Sequence, residues 1–231
     1  VTTNADGVAT TQYTAGSTTG TAPVTDIVSA TTTNLINITT PITVQSGAVV
    51  VNSITLTSGD NGAGIVANGI ATSAIRATVL DSNGEPVVGQ DVDFTTTAGN
   101  LSSNIATTDT NCVAQVTLTA DDQAGWATIT ANADGFSVTV DVEFIPGPVT
   151  DVTLVAAPDT VNATGTSSLT ATVTDLYGNV IIGETVTFAI SSLGSTGPSL
   201  SEVNATTNKN GVATTQYTSG STTGTAAVTD E

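Results

Sequence analysis

The sequence predicts an all-β chain of two-layer sandwiches strung in tandem. Three observations carry the prediction: the composition is that of strands, the breaks between apolar stretches are turn residues, and one pattern recurs along the chain.

Hydrophobic residues make up 39% of the 231 residues, but aromatic residues only 3%. The apolar content is mainly Val, Ala and Ile, and Thr is the commonest polar residue. Branching at Cβ costs little rotamer freedom in an extended backbone and packs well on a pleated face. Phe94, Phe136, Phe144, Phe188, Trp126 and three tyrosines are the large aromatic space-fillers. That supply suits narrow sandwiches and leaves one large core poorly filled.

Strands are expected at Ser53–Leu56, Ile75–Leu80, Val92–Thr96, Val113–Thr119, Ala127–Ala131 and Ser137–Phe144, with Asp151–Leu154 opening a further unit. Between them stand Gly59-Asp60-Asn61-Gly62, Asp81-Ser82-Asn83-Gly84, Ala98-Gly99-Asn100 and Asp134-Gly135, the residue types that accept turn geometry. No helical apolar period of useful length occurs. Short strands at this spacing, about 100 residues to a domain, indicate tandem immunoglobulin-like β-sandwiches.

The repeat is explicit. Val1–Ile27 and Ala205–Glu231 align without gaps at a spacing of 204 residues, with 21 of 27 positions identical. A more diverged copy of the pattern lies between them, where Thr108–Ala114 answers to Thr207–Ala213. Ala77–Asp81 matches Ala171–Asp175, and Val88–Phe94 matches Ile182–Phe188, both 94 residues apart. The shortest description is a two-domain super-repeat seen for one turn plus an overlap.

The expected units are a partial domain at 1–41 carrying closing strands and a linker or added strand at 42–49. A complete domain at 50–146 and a domain at 149–231 lacking its last strand follow. Pro146-Gly147-Pro148 ends the complete unit, because proline cannot donate to a sheet ladder. By the same reasoning a strand near Thr32–Thr39 is expected to close at Pro41. The missing strand leaves two explanations open: the chain is a stretch of a longer tandem polypeptide, or the N-terminal strands of one subunit complete the last domain of the next.

Two stretches carry a family resemblance. Asp81–Phe94, repeated as Asp175–Phe188, and the Thr-Asn/Asp-x-x-Gly-Val-Ala pattern resemble the bacterial immunoglobulin-like domains of group 1, the repeats of invasin- and intimin-like surface proteins. The resemblance implies rigid extracellular spacers that hold an adhesive tip away from an outer membrane, with some repeats contributing to binding. Cys112 departs from the pattern, standing where the neighbouring copies have glycine.

Charge narrows the function further. Two basic residues against 20 acidic ones give a formal net charge of -18. Such a surface repels nucleic acid and anionic lipid, so neither is an expected partner. No run of 18 apolar residues appears, so no direct membrane insertion is expected within these residues. Self-repulsion calls for screening or bound cations, so a high-salt or calcium-containing environment is expected, with no cofactor certain and calcium the candidate ion. Its weak candidate ligands are the turn-borne pair Asp121 and Asp122 and the same-face pair Asp141 and Glu143, none with the spacing of an EF-hand loop. With no histidine, a thiol at Cys112 lacks a base, and no catalytic or cofactor-binding residue is assigned.

The expected function is therefore a non-enzymatic structural spacer or filament module of a cell-surface adhesin or fibre. Its expected partners are neighbouring Ig-like repeats or subunits of the same protein. The alternative is a binding module that recognises a host receptor or glycan through loops or a sheet edge.

Overall fold

A computed structural model describes residues 1–15, 24–34, 36–44, 50–191 and 194–221. Every described regular element is a strand. The first eleven in chain order are β1 (Val24–Thr31), β2 (Asn37–Val44), β3 (Ser53–Ser58), β4 (Ile65–Val66), β5 (Thr72–Leu80), β6 (Asp91–Thr96), β7 (Asn100–Leu101), β8 (Ile105–Thr107), β9 (Val113–Thr119), β10 (Gly125–Ala133) and β11 (Phe136–Ile145). Then follow β12 (Asp151–Ala157), β13 (Thr166–Thr174), β14 (Thr185–Thr187), β15 (Ser199–Leu200), β16 (Asn204–Thr206) and β17 (Val212–Thr218).

Residues 51–145 build two sheets, one ordered β3-β5-β9-β7 and the other β4-β11-β10-β6-β8. Alternation decides which side of each strand is buried. Along β5, Ile75, Ala77 and Val79 are fully buried, and Val116 and Leu118 on β9 join them. The opposing sheet contributes Val92, Phe94, Ile129, Ala131, Val142 and Phe144 to the same core. At roughly 25 cal/mol per Å² of apolar surface removed from water, this contiguous layer is the main source of the unit's stability. Asp134 and Gly135, both at positive φ, turn β10 into β11 between the paired residues Ala133 and Phe136. That is a two-residue loop of the type an Asp-Gly pair favours, because positive φ matches the right-handed twist of the flanking strands.

Residues 149–221 repeat half of this plan closely. Strands β12-β13-β17-β15 form a sheet in the order of β3-β5-β9-β7, and β14-β16 form the counterpart of β6-β8. Phe188 is buried like Phe94 and sits in the same register, so the 94-residue spacing is a spacing of equivalent core positions. Among the described residues there is no counterpart here of β4, β10 or β11. The buried cluster is accordingly small: Ala171, Phe188 and Ala213, with Leu169, Val186, Leu200 and Ala205 against it.

The N-terminal residues corrected one expectation. Of the expected strand near Thr32–Thr39 only Asn37–Thr39 are strand, as the start of β2; Thr33 and Asn34 lie in a turn, and β1 and β2 pair antiparallel from Val24↔Val44 to Thr31↔Asn37. Pro41 does not close the strand; it lies inside β2 opposite Ile27. In a two-stranded ribbon each strand has an outer edge, and a residue without an N–H is tolerated there. Residues 42–44 thus belong to β2, and 45–49 lie outside the described residues.

Candidate functional site: the loops between the units

One local device recurs five times and builds the ends of the sandwiches. An Asp or Asn side-chain oxygen accepts the backbone N–H groups two and four residues on, and the residue three on has positive φ. Asn4 takes Asp6 and Val8; Asp81 takes Asn83 and Glu85; Asp109 takes Asn111 and Val113. Asp175 takes Tyr177 and Asn179, and Asn208 takes Asn210 and Val212. The positive-φ residues are Gly7, Gly84, Cys112, Gly178 and Gly211. An Asx side chain thereby substitutes for a backbone turn partner, which explains the residue pattern read from the sequence.

Cys112 is the one non-glycine in the set, at φ 62° and buried. At the equivalent Gly211 an added Cβ would come within 2.8 Å of the Val180 side chain and 2.9 Å of the Val173 carbonyl oxygen. The loop opposite Cys112 carries Pro86-Val87 where Gly211 faces Val180-Ile181.

Of the five loops, the one at Asp175 joins the two sandwiches. Its carboxylate accepts the Gly147 N–H at 2.9 Å, from the Pro146-Gly147-Pro148 connection. The same oxygen accepts the Asn179 side-chain amide at 2.9 Å. The amide of Asn179 also donates to the Asp122 carbonyl at 2.8 Å, and its Oδ1 accepts the Ala124 N–H at 2.8 Å. The Tyr177 hydroxyl donates to the Asn68 carbonyl at 3.2 Å. Asp175 and Asn179 are 3% and 7% exposed, so these bonds lie in a closed contact.

Burial works against the Asp175 charge, but the Asn179 amide and the backbone N–H groups of Gly147, Asn179 and Tyr177 outweigh it, leaving its pKa below the ordinary aspartate value. Asp81 and Asp109 are lowered chiefly by the backbone N–H groups of Glu85 and Val113.

The expected calcium ligands are dispersed. Asp121 accepts the Gly99 N–H at 2.7 Å, and Asp141 accepts the Thr128 hydroxyl at 2.7 Å. Asp122 serves the junction through its carbonyl, and Glu143 pairs with Trp126 across β10 and β11. Among the described residues no three His, Cys, Asp or Glu side chains converge. The role of Asn179 was missed from sequence, because the 94-residue register sets it against Glu85 and nothing in the pattern marks an amide there as a bridge.

Residues 53–145 match the bacterial Ig-like domain (group 1) family. They are such a domain. The chain around this group 1 domain is similar to the inverse autotransporter adhesin YeeJ of Escherichia coli (strain K12), 36% identical over 171 residues, which is 70% of this chain and 7% of that protein. Among solved structures, InvD of Yersinia pseudotuberculosis is 25% identical with a TM-score of 0.52, over 77% of this chain and 56% of that one. Invasin, a bacterial integrin-binding protein, aligns with a TM-score of 0.64 at 21% identity, over 87% of this chain and 41% of that one, a likeness of fold alone. The chain thus spans 7% of the adhesin and about half of each solved chain. The likeness is to a surface adhesin, and the chain is accordingly extracellular, at the cell surface.

Proposed function

We propose that the chain is a spacer segment in which successive Ig-like units are held end to end. In this reading 50–146 and 149–231 are consecutive units, and residues 1–44 are the closing part of a unit before them. The observation that carries it is the junction of Asp175 and Asn179 with Gly147, Asp122 and Ala124. A short connection whose middle N–H is bonded into the next unit restricts the angle between units, which is what a spacer requires. Small-angle scattering and interdomain residual dipolar couplings test it. A single preferred angle is expected, and one compact globule or a broad spread of angles overturns the reading.

A second reading is favoured by Trp126, the second residue of β10, which is 63% exposed and only two residues from Ala124 at the junction. Exposed aromatic surface is the usual anchor for a receptor or glycan. Titration with receptor or glycan that changes Trp126 fluorescence supports recognition by this unit; binding that survives Trp126→Ala unchanged removes it.

A further inference from the structure

We infer that the solvent face of strands β10, β11 and β6 in the group 1 domain is a docking surface for an extended, arginine-bearing segment of another protein. The inference deepens the recognition reading of Trp126, on which it rests, by assigning the partner's chemistry.

Strand register sorts this face from the core. Ala127, Ile129 and Ala131 on β10, Val142 on β11 and Val92 and Phe94 on β6 are buried, so the residues between them point outward. Trp126 stands directly opposite Glu143, and Thr128 opposite Asp141. On the other side of β10, Asn132 faces Asp93, and Asp91 follows two residues along β6. From Trp126 to Asn132, Ser137 to Glu143 and Asp91 to Thr95, the outward side chains are one indole, four carboxylates, one amide and hydroxyls. The Thr128 hydroxyl donates to Asp141 at 2.7 Å and the Thr107 hydroxyl to Asp91 at 2.6 Å, which fixes two of the carboxylates on the sheet.

Two observations point to a ligand. The first is that the repeat does not need Trp126. Gly125-Trp126-Ala127 answers to Gly20-Thr21-Ala22 and Gly224-Thr225-Ala226, at the same distance from Val113 as those stretches are from Val8 and Val212. Threonine suits an outward strand position, whereas an exposed indole there adds nothing to the core and offers a large apolar surface for contact. The second is charge. The chain has two basic residues, and neither is on these strands. Arg76 lies on the other sheet, where its Nε donates to Gln115 at 2.8 Å, and Lys209 lies in the Asn208 turn of the following unit. The complement of the face, a cation, must therefore come from a partner.

The arrangement selects arginine. A planar guanidinium stacks on an indole and forks its N–H donors onto a carboxylate at the same time. As a cross-strand pair, Trp126 and Glu143 have Cβ atoms about 5 Å apart, close enough to share one guanidinium. Asp141 lies two residues along β11, roughly 7 Å away, which is the repeat of alternate side chains in an extended partner. A second copy of the chain does not fit, because it brings a net charge of -18 and a single arginine already bonded to Gln115.

Trp126 is the only tryptophan, so its fluorescence reads this face alone. The 231-residue chain is titrated with an acetylated, amidated peptide of alternating Arg and Ser, with the same peptide carrying Lys for Arg, and with the neutral oligosaccharide cellohexaose. Saturable quenching by the Arg peptide is expected, with an affinity about three-fold or more above that of the Lys peptide. By calorimetry, Trp126→Thr, the residue of the other copies, and the pair Glu143→Gln with Asp141→Asn are each expected to weaken binding about ten-fold. Glu184→Gln with Glu202→Gln removes the same charge from exposed positions of the following unit and is expected to leave the affinity within about two-fold. Absence of saturable quenching by the Arg peptide overturns the inference. So does an equal loss in the Glu184 and Glu202 pair, or equal affinity for the Lys peptide, since either would mean attraction to net charge alone. Cellohexaose that quenches Trp126 where the Arg peptide does not also overturns it, while leaving recognition by this unit standing. Circular dichroism checks that each variant keeps the wild-type strand content.

Discussion

The side-chain amide of Asn179 donates to the carboxylate of Asp175 at 2.9 Å and to the Asp122 carbonyl at 2.8 Å. With Oδ1 taken by the Ala124 N–H, every polar group of this side chain is directed, and two of its three bonds cross to the preceding unit. One residue therefore ties the loop to itself and to its neighbour.

Replacing it tests the junction. Asn179→Ala removes both cross-junction bonds and strips one donor from a buried carboxylate. A net hydrogen bond is worth about 1 kcal/mol, so the coupling between units should fall by about 1–3 kcal/mol. Separate melting of the two units by calorimetry, or a wider spread of interdomain angles, is the expected outcome. An unchanged single transition with unchanged couplings contradicts it.

Gly211 and Cys112 occupy the same place in the repeated loop, and their substitutions should differ. Gly211→Ala meets the Val180 side chain and the Val173 carbonyl oxygen in addition to left-handed strain at φ 70°. A loss of about 2 kcal/mol or more is expected in denaturant titration. Cys112→Ala keeps the same backbone strain and only trims a thiol, so it should cost less. Equal effects at the two positions would show that the packing around Gly211 has no energetic consequence.

Much of this was legible in the residues. The alternation through Val138, Val140, Val142 and Phe144, the Asp-Gly turn and the 94-residue register gave the strands and the equivalence of Phe94 with Phe188, since all are local or periodic signals. The two-residue strands β4, β7 and β15 were not legible, because two residues cannot display a period. Pro41 misled for a related reason: its cost depends on whether the strand has a neighbour on that side, a tertiary property. Trp126 and Asn179 showed as residue types only, and exposure and bridging are decided by the packing of separate units.

Excess negative charge should make stability respond to ionic strength rather than to one ion. With 20 acidic residues against two basic ones, screening relieves self-repulsion. Calcium and magnesium at matched ionic strength are expected to raise Tm alike, and sodium chloride to raise it in the same direction. A rise with calcium that magnesium does not reproduce, reversed by chelation, would instead place a specific site at carboxylates such as Asp121 and Asp122 or Asp141 and Glu143.

Acid should loosen the junction before it dissolves the strand ladders. The pKa of Asp175 is lowered in the folded state, as are those of Asp81 and Asp109. A lowered carboxylate stabilises the fold fully above its unfolded pKa of about 3.9, and the contribution is lost as pH falls through the folded value. Stability should thus be flat in this respect at neutral pH and decline below about pH 4. Protonated Asp175 can no longer accept as strongly from Gly147 and Asn179, so the interdomain couplings should be lost over that window while the Ile75 and Val116 amides stay protected from exchange. Asp175→Asn fixes the neutral state and should show the loosened junction already at pH 7. Wild-type couplings in that variant at neutral pH would assign the rigidity of the joint to the proline-flanked connection instead of to the carboxylate.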